Sequence, residues 1–263
     1  MAAKANRRAI LPALLVLLLA ALAGGSWARA ATAGVAAFDE ANKFYEQGKF
    51  QEAVAAYEMF LASNAPTANA WFNLGNAAYK SGQPGRAIAA YRMAERLTPR
   101  DAELRANLQF VRSKVYSDER IRVPLWKTMV RSATANEWTV ATMVVLWVLW
   151  LVLAWGELAR RRFLKTTLFL ALTALLFAAA LGAAVWDRGK LEAVIAAAEV
   201  TARRGPLTVS EGKFQLRDGA EVDVLGAKDD WLEIRDVEKR EGWVRRSEAL
   251  LLPGARQKSQ VVP

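Results

Sequence analysis

The pattern of apolar and polar positions changes character several times along the chain. Ile10 to Ala23 is an uncharged apolar run behind Lys4, Arg7 and Arg8. It is short for a bilayer span and suits the apolar region of a signal peptide, with Ala28-Arg29-Ala30 as a small-x-small cleavage pattern. Residues 1–30 are therefore expected to direct export, whether cleaved before Ala31 or kept as an anchor. From residue 34 to 116 apolar residues recur at helical spacing, as in Leu104, Leu108 and Val111. Residues 138–156 and 166–186 then carry no charge at all. At helical rise these stretches reach about 28 and 31 Å, enough to cross the hydrocarbon core, and they predict a two-helix transmembrane hairpin. Beyond them the period drops to two. Phe214-Gln-Leu-Arg, Glu221-Val-Asp-Val-Leu, Trp231-Leu-Glu-Ile-Arg and Gly242-Trp-Val-Arg alternate, with breaks at Gly205-Pro206, Asp218-Gly219 and Lys228-Asp-Asp. Several short strands between residues 190 and 253 predict a small all-β barrel, and 254–263 read as a disordered tail.

The helical region contains an internal repeat. Phe38, Tyr45, Gly48, Ala53 and Tyr57 align with Phe72, Tyr79, Gly82, Ala87 and Tyr91 at a constant offset of 34, the period of the tetratricopeptide repeat (TPR), an all-α superhelix. Gly75 and Ala87 are expected where paired helices approach too closely for a larger side chain, with Trp71, Leu74 and Tyr91 filling between them. Gly82 suits a left-handed end to the first helix of the second repeat, and Pro84 the start of its second. Two repeats, 34–67 and 68–101, leave an apolar face uncovered, so residues 102–116 are expected to form a capping helix. Residues 117–137 read as a juxtamembrane linker, with Trp126 and Trp138 as interface anchors.

The formal charge of +10 changes this picture mainly through its placement. Residues 157–165 hold Arg160, Arg161, Arg162 and Lys165 against one acid, whereas residues 187–263 are neutral. Cations flanking apolar segments answer to membrane topology rather than to nucleic acid, which would concentrate them on one folded face. The positive-inside rule puts the 157–165 loop in the cytoplasm. The export signal independently places residues 31–137 outside, and the second span returns 187–263 to that side. The chain has no Cys and no His. Thiol nucleophiles, imidazole bases and most zinc sites are thereby excluded. The acid pairs Asp39-Glu40 and Asp229-Asp230 lack a convergent partner and suit a helix start and a turn. No catalytic residue, metal or cofactor is expected.

The strand run Thr201-Ala-Arg-Arg-Gly-Pro, Asp218-Gly-Ala-Glu-Val-Asp-Val-Leu, Asp230-Trp-Leu-Glu-Ile and Glu241-Gly-Trp-Val resembles bacterial SH3 (SH3b) domains. The order of signal peptide, TPR pair, two spans and terminal SH3b resembles the BatE family of the Bacteroides aerotolerance operon. That resemblance implies an inner-membrane protein with both modules on the periplasmic side. Its implied partners are membrane-anchored von Willebrand A-domain proteins and a MoxR-type ATPase system, and its implied role is in oxidative or envelope stress.

A TPR array offers a concave groove. On the repeat register it is lined by Phe38, Asn42, Tyr45 and Glu46, then Phe72, Asn76, Tyr79 and Lys80, then Asn107 and Lys114 from the capping helix. Amide side chains can hold a peptide backbone and aromatic rings supply flat contact, so this groove is the candidate site for an extended partner segment. Phe38 and Phe72 occupy places where a terminal-carboxylate clamp would need cations. In the barrel, Trp231 and Trp243 are candidate surface or core residues; on the surface they would grip a peptide or peptidoglycan. On the second span, Ala178, Ala179, Gly182 and Ala183 are small enough for close helix packing.

Overall fold

The computed structural model describes residues 34–116, 125–160 and 163–252. The expected signal peptide, the tail, Arg161 and Arg162 lie outside these described residues. The described chain is a helical repeat region, two long apolar helices and an antiparallel all-β domain. Contacts divide it into two compact units at Pro66–Thr67.

The first unit holds α1 (residues 34–46) and α2 (Phe50–Ser63). Gly48, between them, has φ +75°, a left-handed conformation that glycine adopts without strain. Tyr57 and Ala53 are buried. Phe38 packs its ring edge-on to Tyr57 at 5.9 Å and tilted on Phe60 at 5.4 Å.

In the second unit α3 (Ala68–Lys80) and α4 (Pro84–Leu97) form the full-pattern repeat, and α5 (Ala102–Val115) packs on α4. Thr67 caps α3 by accepting from the Ala70 N–H at 3.2 Å, and Asp101 caps α5 by accepting from Leu104 at 3.0 Å. A Cβ on Gly75 would strike the Tyr91 ring, which is why the helix pair needs glycine there. Leu104, Leu108 and Val111 are each about fully buried, so α5 covers the second repeat's apolar face.

The linker is not featureless: Leu125–Arg131 forms a short helix, α6. Then α7 (Ala135–Leu158) opens on a capping box between Thr134 and Glu137, and α8 (Leu164–Gly189) packs beside it as a hairpin. Both helices run past the uncharged stretches. Their mean hydropathies are 2.1 and 2.5, and only 6% and 11% of their most apolar 18-residue windows are buried. A core helix of a soluble domain would be covered by its neighbours. These expose Trp147, Trp150, Leu168 and Phe169, which points to membrane anchoring. The small residues of α8 that are covered are Ala174 and Ala184. Ala178, Ala179 and Gly182 are exposed, and a Cβ on Gly182 would meet open space.

The β domain has seven strands in the order β3-β2-β6-β5-β4-β1-β7: β1 Glu192–Ile195, β2 Glu199–Arg203, β3 Gly212–Arg217, β4 Glu221–Lys228, β5 Trp231–Arg235, β6 Glu241–Arg245 and β7 Ala249–Leu252. Every strand contributes to one core that includes Ile195, Val200, Leu216, Val222, Ile234, Val244 and Ala249, so the sheet rolls around a single interior. Register shifts at Ala202/Arg203 and Val224/Gly226 help it bend. β1 follows α8 after only Lys190 and Leu191 and pairs with both β4 and β7. The second helix thus runs almost directly into the sheet.

Candidate functional site

The α3–α5 face is built by residue spacing within the repeat. Asn76 on α3 accepts from the Tyr91 hydroxyl at 2.6 Å and from Asn107 Nδ2 at 3.3 Å. In the first unit Asn42 accepts from the Tyr57 hydroxyl at 2.5 Å. Both Asn–Tyr pairs are 15 residues apart, so the repeat copies a chemical unit: an amide that satisfies the hydroxyl of a buried tyrosine. The sequence reading assigned Asn42 and Asn76 to a groove and did not foresee this packing task. Phe72 lies half-buried on Tyr91 at 5.9 Å, and Tyr45 packs edge-on to Phe50 at 5.4 Å. Tyr79 meets Phe110 edge-on at 5.5 Å, with the Lys114 ammonium 5.5 Å from the Phe110 ring centre. Phe110 is 49% exposed and Lys80 is exposed. Phe110, absent from the sequence-derived set, is therefore the prominent aromatic of this face.

That face runs into a cleft of about 500 Å³ against the β domain, lined by Tyr79, Lys114, Glu199, Arg217 and Asp218 among others. The cleft exists because the β domain docks on the repeat. Asp218, in the β3–β4 turn, accepts from the Gly85 N–H at 3.1 Å, one of the donors left unpaired at the start of α4. Burial raises its carboxyl above the ordinary value although the Gly85 and Gly219 N–H groups pull it down. A Cβ on Gly85 would strike Asp218 Oδ1 and the Ile195 carbonyl. Gly85→Ala is expected to cost about 1–3 kcal/mol through overpacking and to increase hydrogen exchange in β1 and the β3–β4 turn while α3 stays protected. Unchanged exchange at those strands would contradict the close approach.

On the far side of this junction lies a network of buried ions. Arg92, on α4, is 6% exposed. It donates to Glu95 at 2.9 Å and to Glu192 of β1, and its Nε faces Glu221 of β4 at 3.5 Å. Arg112 of α5 grips Glu221 in a two-pronged fork at 2.6 and 2.7 Å. Arg131 of α6 donates to Asp187 at 2.6 Å and to Glu192 at 2.8 Å, and the Tyr116 hydroxyl accepts from the Glu221 N–H at 2.7 Å. Burial, reinforced by Glu221, pushes the Tyr116 hydroxyl up to about 12. Burial alone would raise Glu192, but the Arg92 and Arg131 guanidiniums overcome it and hold the carboxyl at about 2. The same carboxylates hold Arg92 above its ordinary value against its own burial. A charged-walled cavity of about 570 Å³ adjoins the network.

A family model described as tetratricopeptide repeat matches residues 38–102. One described as bacterial SH3 domain matches residues 196–249. No curated protein matches the chain. Arg112, Arg131, Asp187 and Glu192 lie outside both matched spans, so much of the junction comes from segments that neither module describes.

In the SH3-type domain the two tryptophans, for which the sequence left surface and core open, point outward. Leu232, Ile234 and Val244 fill the interior, and Trp231 and Trp243 alternate with them as half-exposed residues. The Arg245 guanidinium lies 5.4 Å from the Trp231 ring centre, and Trp243 stands opposite Arg203 and Glu233. Aromatic planes beside cations and a carboxylate suit sugar or peptide contact. Of the topology residues, Arg160 is exposed at the end of α7 with φ +50°, and Lys165 is exposed in the first turn of α8.

Proposed function

We propose that this chain is a non-catalytic scaffold anchored in the inner membrane of a bacterial envelope. Its two spans hold the repeat region and the SH3-type domain on the periplasmic side, a reading that the basic 157–165 loop supports. The α3–α5 face takes an extended partner segment, laid along Asn107, Tyr79, Phe110 and Lys114 and continuing into the cleft beside Arg217. The carrying observation is the exposed Phe110 ring packed on the partly buried Tyr79, which lines that cleft. Phe72, Asn76 and Lys80 extend that contact along α3, and in the first unit Phe38, Asn42 and Tyr45 form the corresponding candidate face. Anchoring raises the effective concentration of such partners, so weak contacts suffice.

The resemblance to the BatE family supplies the partner class: membrane-anchored von Willebrand A-domain proteins working with a MoxR-type ATPase in stress tolerance. A photo-crosslinking residue at position 110 in intact membranes tests it. Recovery of a von Willebrand A-domain protein, reduced about tenfold by Tyr79→Ala with Lys114→Glu, is the expected result. Equal recovery from that variant would refute the site. A second reading rests on the outward Trp231 and Trp243: the SH3-type domain binds peptidoglycan. Murein pull-down by the full chain, lost in Trp231→Ala with Trp243→Ala, would support it.

A further inference from the structure

Helix α6 is amphipathic in an inverted sense. Leu125, Trp126 and Met129 share one side and are 80%, 41% and 69% exposed. Lys127 and Arg131, four apart, share the other. The polar side is the covered one: Arg131 reaches Asp187 and Glu192, Lys127 Nζ lies 3.8 Å from Asp187, and Val130 is buried. A surface helix in water shows the opposite arrangement.

Its neighbours fix its level. The Trp126 ring stacks on Trp186, the last residue of the uncharged stretch of α8, at 6.4 Å and 29°. The Lys190 ammonium sits 4.1 Å from the Trp186 ring centre, and Lys127 lies 5.9 Å from Trp126. Trp138, first residue of the uncharged stretch of α7, donates from Nε1 to the Val130 carbonyl at 3.0 Å. Arg188 donates to the Ala133 carbonyl at 2.5 Å. The same ends of both spans are thus fastened to α6 amid indoles and ammoniums, the side chains that favour the boundary between hydrocarbon and headgroups.

We propose that α6 lies in the plane of the membrane interface. Leu125, Trp126 and Met129 enter the outer hydrocarbon, to the about 5–10 Å typical of interfacial helices, and Lys190 stands among the headgroups. The occupant of the exposed face is lipid, because that face is continuous with the uncovered apolar surface of α8 through the Trp126–Trp186 stack. α6 then acts as a collar: one side rests on the bilayer and the other holds Asp187 and Glu192, so the repeat and β domain are fixed at one height above the membrane.

The inference rests on the membrane reading of α7 and α8, and the test separates the two. The chain has no Cys, so single nitroxide labels can be placed by Met129→Cys, Thr128→Cys and Leu151→Cys in the full chain, reconstituted in phosphatidylcholine–phosphatidylglycerol nanodiscs. Collision rates with oxygen and with a neutral nickel chelate are then compared. Labels at 151 and 129 are expected to favour oxygen several-fold, with 129 the shallower, whereas a label at 128 favours nickel. Nickel preference at 129 with oxygen preference at 151 would overturn the collar and leave the spans intact. Nickel preference at both would remove the membrane reading as well. Exclusion of both reagents from 129 would show a protein partner on that face and also overturn the proposal.

Discussion

Arg92→Ala is expected to destabilise the junction by about 3–5 kcal/mol, the usual cost of stripping one partner from a buried ion pair. The magnitude follows from what stays behind. Glu192 and Glu221 have side chains only 12% and 18% exposed. Without Arg92, Glu192 keeps Arg131 at 2.8 Å and Glu221 keeps Arg112 at 2.6 Å, but two carboxylates then face each other across a vacated side-chain volume. Arg92→Lys should recover only part of the loss, because a single ammonium cannot reach Glu95, Glu192 and Glu221 at once. Arg92→Met combined with Glu192→Gln should recover more, since the network then loses one charge of each sign while Glu221 keeps Arg112 and Arg131 keeps Asp187. Denaturant unfolding of the full chain in detergent micelles, followed by hydrogen exchange at β1 and β4, reads all three variants. An Arg92→Ala protein within about 0.5 kcal/mol of the parent would show that the network does not hold the domains together.

The place of Arg92 in the chain gives that result a wider meaning. It follows Tyr91, whose ring fills the space a Cβ on Gly75 would take and whose hydroxyl reaches Asn76. One turn of α4 therefore faces α3 with one residue and the β domain with the next. Both modules are seated on the same helix, and α6 and β1 join that seat to the membrane hairpin. The α3–α5 helices and the β domain are thereby held at a set spacing rather than as beads on a flexible tether.

Local features of this design were legible in the sequence because local chemistry specifies them. The 34-residue offset located the helix pairs, Gly82 the turn after α3 at φ +78°, and the alternating runs β3 to β6. β1 and β7 were not legible. Ala-Val-Ile and Ala-Leu-Leu-Leu do not alternate, because β1 is covered on both faces once α4 packs against it. The groove was legible as a face but not in its parts. Asn42 and Asn76 looked like free amides because the tyrosine hydroxyls they satisfy lie 15 residues on, in the next helix. The ion network was invisible as a network, since its members come from α4, α5, α6, α8, β1 and β4, and no local pattern links them. A single hint was available: Arg92 interrupts the apolar run Ala87-Ile-Ala-Ala-Tyr91 and Ala94, a place where a charge needs a distant partner.

Acid is expected to open the junction before it unfolds the helices. Glu192 is held at about 2, against an ordinary value of 4.5, because Arg92 and Arg131 outweigh its burial. Glu221 is also held low: burial opposes this, and the charge and fork of Arg112 prevail. A carboxyl whose folded value is depressed contributes stability that is complete above its unfolded value and is lost as the pH falls through the folded one. For Glu192 the window runs from about 4.5 down to about 2, and the shift corresponds to about 3 kcal/mol. Asp218 works the other way. Its carboxyl is raised from 3.8 by burial, so its contribution is present below that value and is lost as the pH rises through the raised one, which offsets part of the gain at neutral pH. Between pH 4.5 and 2, hydrogen exchange in β1 and β4 should therefore rise steeply while the α3–α4 contact at Gly75 persists. Glu192→Gln should begin less stable at pH 7 and show a shallower fall across the same window. Equal slopes for parent and variant would mean that Glu192 does not carry the acid sensitivity, and that its pairing with Arg92 and Arg131 is not what joins the β domain to the repeat.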